Sequence, residues 1–168
     1  MNTGHAIVET RLDQLFQAEI AKLPARPLQQ YLQRVLRDCE HVVTVEKVAA
    51  TMGVTRQHLA RLCRNAGLQE GPHWYLSTAR LLAAAKLLET SDASVGRVAA
   101  KLRFGEASDL YSMFERYAGE KLGDLRRAGI WLYMESLYRQ ALIPDNKVLR
   151  PFAEITSRGS NEVMKSSI

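Results

Sequence analysis

A glycine in the middle of an otherwise continuous helical pattern constrains this chain more than any other feature. The stretch is VAATMGVTRQHLARL, residues 48 to 62, in which Gly53 is followed by a valine and a threonine. Thr44 and Thr55 are suitable N-caps for a helix on either side of the glycine. Glycine also accepts the left-handed conformation that commonly ends a helix. The pattern therefore predicts two short helices, over about 45–52 and 55–66, joined by a tight turn.

Two short helices joined in this way are typical of the helix-turn-helix. The small Ala49 is suited to the point where such helices touch, and the apolar residues that would fill their shared core are Val48, Met52, Val54, Leu59 and Leu62. Fifty residues after TVEKVAATMGV, the stretch SVGRVAAKLRF repeats the N-cap, the Val-Ala-Ala sequence and the two-residue turn. The sequence therefore predicts two such units, at about 44–66 and 94–117.

The rest of the sequence also favours helix, because strand-like alternation is scarce and only 7% of the residues are aromatic. Helical spacing of apolar residues predicts an N-terminal helix over about 6–23, another over about 28–40 and a C-terminal helix over about 124–142. A long helix over about 73–90 lies between the two units. We therefore predict an all-α fold: two helix-turn-helix units joined by a long linker helix, with an extra N-terminal helix and an extra C-terminal helix.

The second helix of a helix-turn-helix can lie in the DNA major groove. Residues 55–65 contain three arginines and no acid, and the whole chain has a net charge of +5. Arg61 can donate two hydrogen bonds to a guanine edge, and Gln57 can pair with adenine. The candidate phosphate contacts are Thr55, Arg56 and Arg64. The alternative is a solvated basic face on a structural helix.

Three stretches together resemble the DNA-binding domain of the AraC/XylS transcription regulators. They are VEKVAATMGVTRQHLARLCRNAG, YLSTARLLAAAKLL and VGRVAAKLRFGEASDLYSMFERYAG, and the resemblance covers about Leu28 to Arg127. The positions that match the family pattern are Tyr75-Leu76, Arg80-Leu81, Ala84, Leu87-Leu88, Phe104, Phe114, Tyr117, Gly119 and Arg126. We therefore expect an N-terminal helical extension at 1–27, an AraC-type DNA-binding domain at 28–127, and a C-terminal helix with a flexible tail at 128–168.

The resemblance implies a binding geometry and a set of contacts. The two recognition helices would enter successive major grooves of double-stranded DNA, about 34 Å apart on one face. Carried over by position, the first-unit contacts would be Gln57, His58 and Arg61. The exposed positions of the second unit would be Glu106, Ala107, Ser108, Asp109 and Ser112. Members of the family usually activate transcription by recruiting RNA polymerase, which makes the polymerase a candidate partner.

The second unit departs from the family pattern. Its turn carries Arg103 where the family has glycine, and because a left-handed arginine costs on the order of 1 kcal/mol, a remodelled turn is expected. Residues 106–117 contain three acids and one arginine, a net charge of −2. The usual proline after the final glycine is also absent. We therefore expect the first unit to dominate DNA affinity, and the second to bind weakly, to bend away or to face a protein.

Both extra helices are amphipathic, and packing on their own domain is the favoured interpretation. An exposed one would offer a contact for a homodimer or for the polymerase. Some forty residues precede the first unit, fewer than the sensor domain common in the family requires. The chain is therefore expected to be a fragment, a stand-alone regulator or a protein controlled through a partner.

Other chemistry has no positive support in the sequence. The four histidines lack metal-ligand spacing, and the two cysteines are too few for a zinc site. No glycine-rich phosphate loop follows a strand. We expect no metal, no cofactor and no catalytic residue. No run of eighteen apolar residues exists, and acids occur too early for a signal peptide, so a cytoplasmic protein with no membrane partner is expected.

The predicted function is a sequence-specific DNA-binding transcription regulator that inserts recognition helices into the major groove and acts with RNA polymerase. The alternative is a protein-interaction module on a helix-turn-helix scaffold, which captures another regulator or the polymerase with weak or no DNA binding. The acidic second unit favours this alternative. Salt dependence separates the two, because DNA binding weakens steeply as counterions are added.

Overall fold

The computed structural model describes residues 11–41 and 44–145, and all regular secondary structure in this part of the chain is helical. One π-helical turn, Phe114–Ala118, directly continues α8. The α-helices in chain order are α1 (Leu12–Leu15), α2 (Gln17–Ala21), α3 (Arg26–Arg37), α4 (Val45–Thr51), α5 (Arg56–Asn65), α6 (Pro72–Thr90), α7 (Val95–Lys101), α8 (Ala107–Met113), α9 (Leu122–Ala128) and α10 (Ile130–Ala141). The predicted all-α class is confirmed.

The N-terminal helix was predicted as one element, and within the described residues this is wrong. The chain forms α1 and α2 instead, separated at Phe16, whose φ of −106° and ψ of 10° are not helical. Phe16 is fully buried, 4.9 Å from Tyr138 between ring centroids. The tertiary packing of this ring therefore overrides the helical periodicity. Residues 6–10 of the predicted helix lie outside the described residues.

The C-terminal helix over 124–142 is also wrong as a single element, because the chain forms α9 and α10. The break is Gly129, with φ of 93° and ψ of 86°. Glycine takes this left-handed conformation without a Cβ clash, and one such residue interrupts the helical hydrogen-bond ladder. Leu122 and Leu125 of α9 are buried, as is Ile130 at the start of α10. The break therefore lets both helices bury their apolar residues.

The linker helix α6 lies at the centre of the molecule. Twelve of its 19 residues are buried, and they lie on several sides of the helix rather than in one stripe. This pattern is typical of a helix enclosed by others. α3 and α10 pack along it, and α4, α5, α7 and the π turn also contact it. Both helix-turn-helix units are therefore anchored on one buried helix.

The N-terminal and C-terminal helices pack on their own chain through aromatic residues and hydrogen bonds. The rings of Trp74 and Tyr138 stack with centroids 6.1 Å apart, and the Tyr75 hydroxyl donates to the Ala141 carbonyl at 2.5 Å. Arg139 of α10 forms an ion pair with Glu19 of α2. Burial acts to raise the pKa of the Glu19 carboxyl, but the hydrogen bond from Arg139 and its charge hold it below its usual value. The ion pair therefore joins directly two segments that are far apart in sequence.

Candidate nucleic-acid interface

The first unit is formed by α4 and α5, and its turn has the conformation predicted from the sequence. Gly53 has a φ of 69°. The N–H of Gly53 donates to the Ala50 carbonyl, and that of Val54 donates to the Ala49 carbonyl, both at 3.1 Å. A Cβ added at Gly53 would meet nothing within 4 Å. The backbone conformation, rather than a lack of space, therefore accounts for the glycine.

The recognition helix of the first unit, α5, buries one side and exposes the other. The Thr55 hydroxyl caps it by accepting the His58 N–H at 3.1 Å. Leu59 and Cys63 are buried, whereas the predicted contact residues lie on the surface, His58 half-buried and the others exposed: Thr55, Arg56, Gln57, Arg61 and Arg64. The structure therefore places all six predicted first-unit contacts on one helix and its N-cap, from Thr55 at the cap to Arg64 in the last turn.

The arginines of α5 differ in how they are paired. Arg56 makes an exposed ion pair with Glu46 at 2.8 Å. The pKa of the Glu46 carboxyl is lowered, first by a hydrogen bond from the Glu46 backbone N–H and then by the hydrogen bond from Arg56. Arg61 and Arg64 make no ion pair with the described residues. Two of the three charges are therefore free to meet a ligand, while Arg56 would first have to leave Glu46.

The turn of the second unit is not remodelled, so the expectation drawn from Arg103 is wrong. Arg103 itself takes the left-handed conformation, with a φ of 56°. Its N–H donates to the Ala100 carbonyl at 3.2 Å, and the Phe104 N–H donates to the Ala99 carbonyl at 2.8 Å. These hydrogen bonds repeat those of the first turn, each fifty residues later. The packing of α7 against α8 therefore imposes the same corner on a residue that does not favour it.

Arg80 of the linker helix supports this strained turn, a role that the sequence alone did not reveal. Its Nη2 donates to the Leu102 carbonyl at 2.7 Å and to the Arg103 carbonyl at 3.4 Å. Its guanidinium carbon lies 4.2 Å from the centroid of the Phe104 ring. Arg80 thus satisfies carbonyls at the end of α7 that have lost their helical partners. It fastens the second unit to α6.

The recognition helix of the second unit, α8, begins with carboxylates. Asp109 Oδ2 accepts the backbone N–H of Glu106 at 2.9 Å. Glu106, Ser108 and Asp109 at the start of this helix and Ser112 near its end are exposed as expected, whereas Ala107 is half-buried against the core and Leu110 is buried. A negative charge at a helix N-terminus is stabilising, but it occupies the place where a phosphate would bind. The second unit therefore presents a different surface from that of the first.

The remaining candidate chemistry can be compared with the described residues. They contain no group of three or more His, Cys, Asp or Glu residues that could hold a metal ion, and no helix among them is long and apolar enough to cross a membrane. Burial raises the pKa of Cys63 to about 11 and that of Cys39 to about 12. Both thiols are therefore protonated near neutral pH and pack as small apolar side chains.

A comparison with protein families finds a match over the part of the chain that contains the two helix-turn-helix units. A family model described as "Helix-turn-helix domain" matches residues 48–128, which supports an AraC-like helix-turn-helix domain. The match runs from the first unit through the linker helix to the end of α9. No curated protein and no solved structure matches the chain.

Proposed function

We propose that this AraC-like helix-turn-helix domain makes the protein a sequence-specific regulator of transcription that binds double-stranded DNA through α5. The observation that carries the proposal is the exposed side of α5, where Arg61 and Arg64 have no ion-pair partner among the described residues. Unpaired guanidinium groups on the outer side of the second helix of such a unit are suited to phosphate oxygens and guanine edges.

The contacts on α5 divide into those that specify sequence and those that position the protein. Gln57, His58 and Arg61 lie where side chains of a docked recognition helix face base edges. Thr55 and Arg64 lie nearer the ends of the helix, where the backbone N–H groups and a guanidinium can meet phosphates. Arg56 would join the phosphate contacts by exchanging the Glu46 carboxylate for a phosphate oxygen.

The second unit contributes less affinity in this proposal. Carboxylates at the start of α8 repel the phosphate that the equivalent end of α5 attracts. Glu106 and Asp109 therefore limit how closely α8 approaches the duplex backbone, although a carboxylate can still accept a hydrogen bond from a cytosine amino group. Ser108 and Ser112 are the second-unit residues best suited to direct contact with DNA.

RNA polymerase and a second copy of the chain are further candidate partners. Polymerase contact rests on the family resemblance. A homodimer through the N-terminal or C-terminal helix would need surface outside the faces that pack on α3 and α6. Leu132, 69% exposed on α10, is a candidate contact there, but a single exposed leucine is common on monomers. A cytoplasmic location likewise remains a prediction from the sequence.

A second candidate function is a protein-interaction module that uses the α8 surface. The observation in its favour is the acidic start of α8 combined with Tyr111, which is 46% exposed on the same helix. Aromatic residues are enriched in protein interfaces, and carboxylates disfavour DNA. In this case the protein would bind a basic partner through α8 whether or not α5 binds DNA.

Selection of bound fragments from random duplexes, followed by an affinity measurement against salt, tests the main proposal. We expect a defined motif and an association constant that falls with salt by about 0.9 log units per log unit for each phosphate contacted. Arg61→Ala should weaken binding to the selected site by about 1–3 kcal/mol and relax the preference at one base pair.

Arg26→Ala is the matched control, because Arg26 is equally an exposed arginine but lies at the start of α3. It should leave both affinity and sequence preference unchanged. Selection that yields no enriched motif, with no duplex retained at low salt, would refute the DNA-binding proposal and leave the protein-interaction function.

A further inference from the structure

A cationic groove lies apart from the exposed side of α5. It has a volume of about 260 Å³ and runs between the N-terminal half of α6 and the helix that ends the second unit. The polar side chains that line it are His73, Ser77, Arg80, Arg116 and Tyr117, and its apolar lining is Leu76 and Met113. None of these lining residues is acidic. The groove therefore combines two guanidinium groups, an imidazole and two hydroxyls without a counter-charge of its own.

Arg80 contributes to this groove a positive charge that no carboxylate of the described residues neutralises by an ion pair. Its guanidinium is half-buried, and burial lowers the pKa of the group. Its Nη2 is bound by neutral carbonyls, and its Nε is buried with no acceptor among the described residues. No carboxylate in this part of the chain forms an ion pair with Arg80. A buried charge without a partner is costly, and an anion in the groove would offset that cost.

The other polar groups of the groove can act as donors at its opening. The Tyr117 hydroxyl lies 3.2 Å from His73 Nδ1, and the Ser77 hydroxyl lies 3.5 Å from the same atom. When a hydroxyl donates to Nδ1, the imidazole proton is on Nε2, which then becomes a donor. Arg116 is exposed, and its guanidinium carbon lies 5.4 Å from the centroid of the Tyr117 ring. Its planar fork is suited to two oxygens of one phosphate or carboxylate.

We propose that this groove binds one oxyanion, through Arg116 and His73 at its opening and the charge of Arg80 beneath them. Two sources share this chemistry: a backbone phosphate of bound DNA, and a free phosphate-sized anion. The DNA source rests on the proposed function and extends its contacts beyond the recognition helices.

The position of the groove favours the DNA phosphate. The groove is lined by α6 and by the end of the second unit, and α6 also packs against α5 of the first unit. Arg116 is four residues beyond Ser112, and Ser112 lies on the exposed side of α8. The groove therefore lies on the part of the fold that connects the two recognition helices, and we infer that the backbone of a duplex reaching both would pass it.

The first arm of the test uses inorganic phosphate and no DNA. Titration followed by ¹H–¹⁵N NMR should give saturable shifts in the His73 imidazole and in the Arg116 side chain. Arg116→Gln removes a charge and His73→Leu removes a donor, both outside the buried core, and each should weaken the fitted phosphate affinity by about fivefold or more, in keeping with the loss of a charge-assisted hydrogen bond. Arg126→Gln is the control, because Arg126 is exposed on α9 and does not line the groove.

The second arm uses the selected duplex, in its natural form and with single neutral methylphosphonates along its central segment. Arg116→Gln should weaken binding to the natural duplex about three- to tenfold and reduce the salt slope by about 0.9, as expected for one lost phosphate contact. At one methylphosphonate position the variant and the unchanged protein should bind equally well, because the contact is already absent. Arg126→Gln should weaken both duplexes to the same small extent.

The two arms distinguish a DNA phosphate from a free anion as the ligand. They also distinguish failure of the oxyanion site from failure of the proposed function. Phosphate shifts at the groove without any duplex effect support a free anion as the ligand, and this outcome stands even when no duplex binds and the proposed function fails. Loss of one unit of salt slope, matched to one methylphosphonate, supports the DNA phosphate. Groove variants that equal the unchanged protein in both arms, on a protein that does bind duplex, would overturn the oxyanion site and leave the proposed function intact.

Discussion

Gly53 and Arg103 occupy equivalent positions in the two units and differ only in side chain. Both have left-handed backbones, with φ of 69° and 56°, and both lie in turns with the same hydrogen bonds. Because a left-handed backbone costs a residue with a Cβ about 1 kcal/mol, the pair offers a reciprocal test. Arg103→Gly should raise the free energy of unfolding by up to about 1 kcal/mol, and Gly53→Ala should lower it by a similar amount. Urea denaturation followed by circular dichroism measures both changes.

Arg103→Ala is the appropriate control for this pair, since it removes the long side chain and keeps the Cβ. It should change stability by no more than a few tenths of a kcal/mol, as is usual for an exposed position. If Arg103→Gly destabilises the protein while Arg103→Ala does not, the left-handed conformation carries no strain at this turn and the argument from backbone sterics is wrong.

At the scale of one helix, Asp109 at the start of α8 has two effects that can be measured separately. It caps the helix, and its charge repels phosphates. Asp109 Oδ2 accepts the Glu106 N–H, and its charge also lies at a helix N-terminus. Asp109→Ala should lower the free energy of unfolding by about 0.5–2 kcal/mol through loss of the cap. Asp109→Asn keeps an acceptor of the same shape and removes the charge, so it should lose less stability.

Asp109→Asn also distinguishes a residue that contacts DNA from one that repels its phosphates. In the proposed function, Asp109→Asn leaves duplex affinity unchanged or increases it, because a negative charge near the phosphates is removed. Affinity measured at two salt concentrations checks this expectation. A large loss of affinity with Asn, at unchanged stability, would make Asp109 a direct reader of the duplex and assign the second unit a larger share of specificity.

At the scale of two helices, Arg80 links the linker helix to the second unit. Arg80→Met keeps much of the aliphatic stem and removes the donors to the Leu102 and Arg103 carbonyls. Hydrogen bonds from a charged donor contribute about 1.5–3 kcal/mol, so the local stability of this turn should fall by that order. Native-state hydrogen exchange should therefore speed up at the Phe104 amide, and the Val54 amide in the first turn should be unaffected.

Arg80→Lys gives the matching test of geometry, because it keeps the charge and loses the planar fork. We expect it to restore only part of the protection at Phe104. Equal acceleration of exchange at Phe104 and Val54 in Arg80→Met would mean that the variant destabilises the whole molecule. In that case Arg80 would not act as a local link.

The elements that the sequence predicted well are those whose signals are local. Thr44, Gly53 and Thr55 define the first unit by capping and by backbone freedom, and the fifty-residue repeat predicted the second unit. Charge and helical spacing likewise predicted that Arg61 and Arg64 lie on the exposed side of α5. These inferences needed no knowledge of what the helices pack against.

The features that the sequence did not reveal depend on contacts between distant segments. The break at Phe16 depends on Tyr138, more than one hundred residues away. The apolar spacing continues across Gly129, so periodicity alone predicts one helix there. The role of Arg80 and the groove beside Arg116 require the fold that brings α6 against the second unit. The sequence marks Arg80 as a match to the family pattern, but it does not show what the side chain contacts.

At the scale of the whole molecule, the first and last helices of the described chain belong to the core that holds the units. The buried apolar residues form one continuous cluster that includes Leu12, Phe16 and Ile20 near one end of the described chain and Leu137 and Leu142 near the other. Because α6 lies at its centre, loss of packing at either end should weaken the platform that fixes the two units relative to each other. The terminal helices would thus affect DNA binding without touching the duplex.

Phe16→Ala tests this coupling across the whole molecule. Removing a fully buried aromatic side chain costs about 3–5 kcal/mol, and the lost ring lies against Tyr138 and, at 5.0 Å, the Arg139 guanidinium. Tyr138→Phe is the contrasting variant. It retains the ring and removes a buried hydroxyl that has no partner among the described residues, so its effect on stability should be neutral or favourable.

The urea transitions of Phe16→Ala, followed by circular dichroism and by tryptophan fluorescence, should both move to lower denaturant by the same amount, because one core unfolds as one unit. Two separate transitions, with the helix-turn-helix region unfolding at its original midpoint, would mean that the N-terminal helices are an independent appendage and that the units do not depend on them.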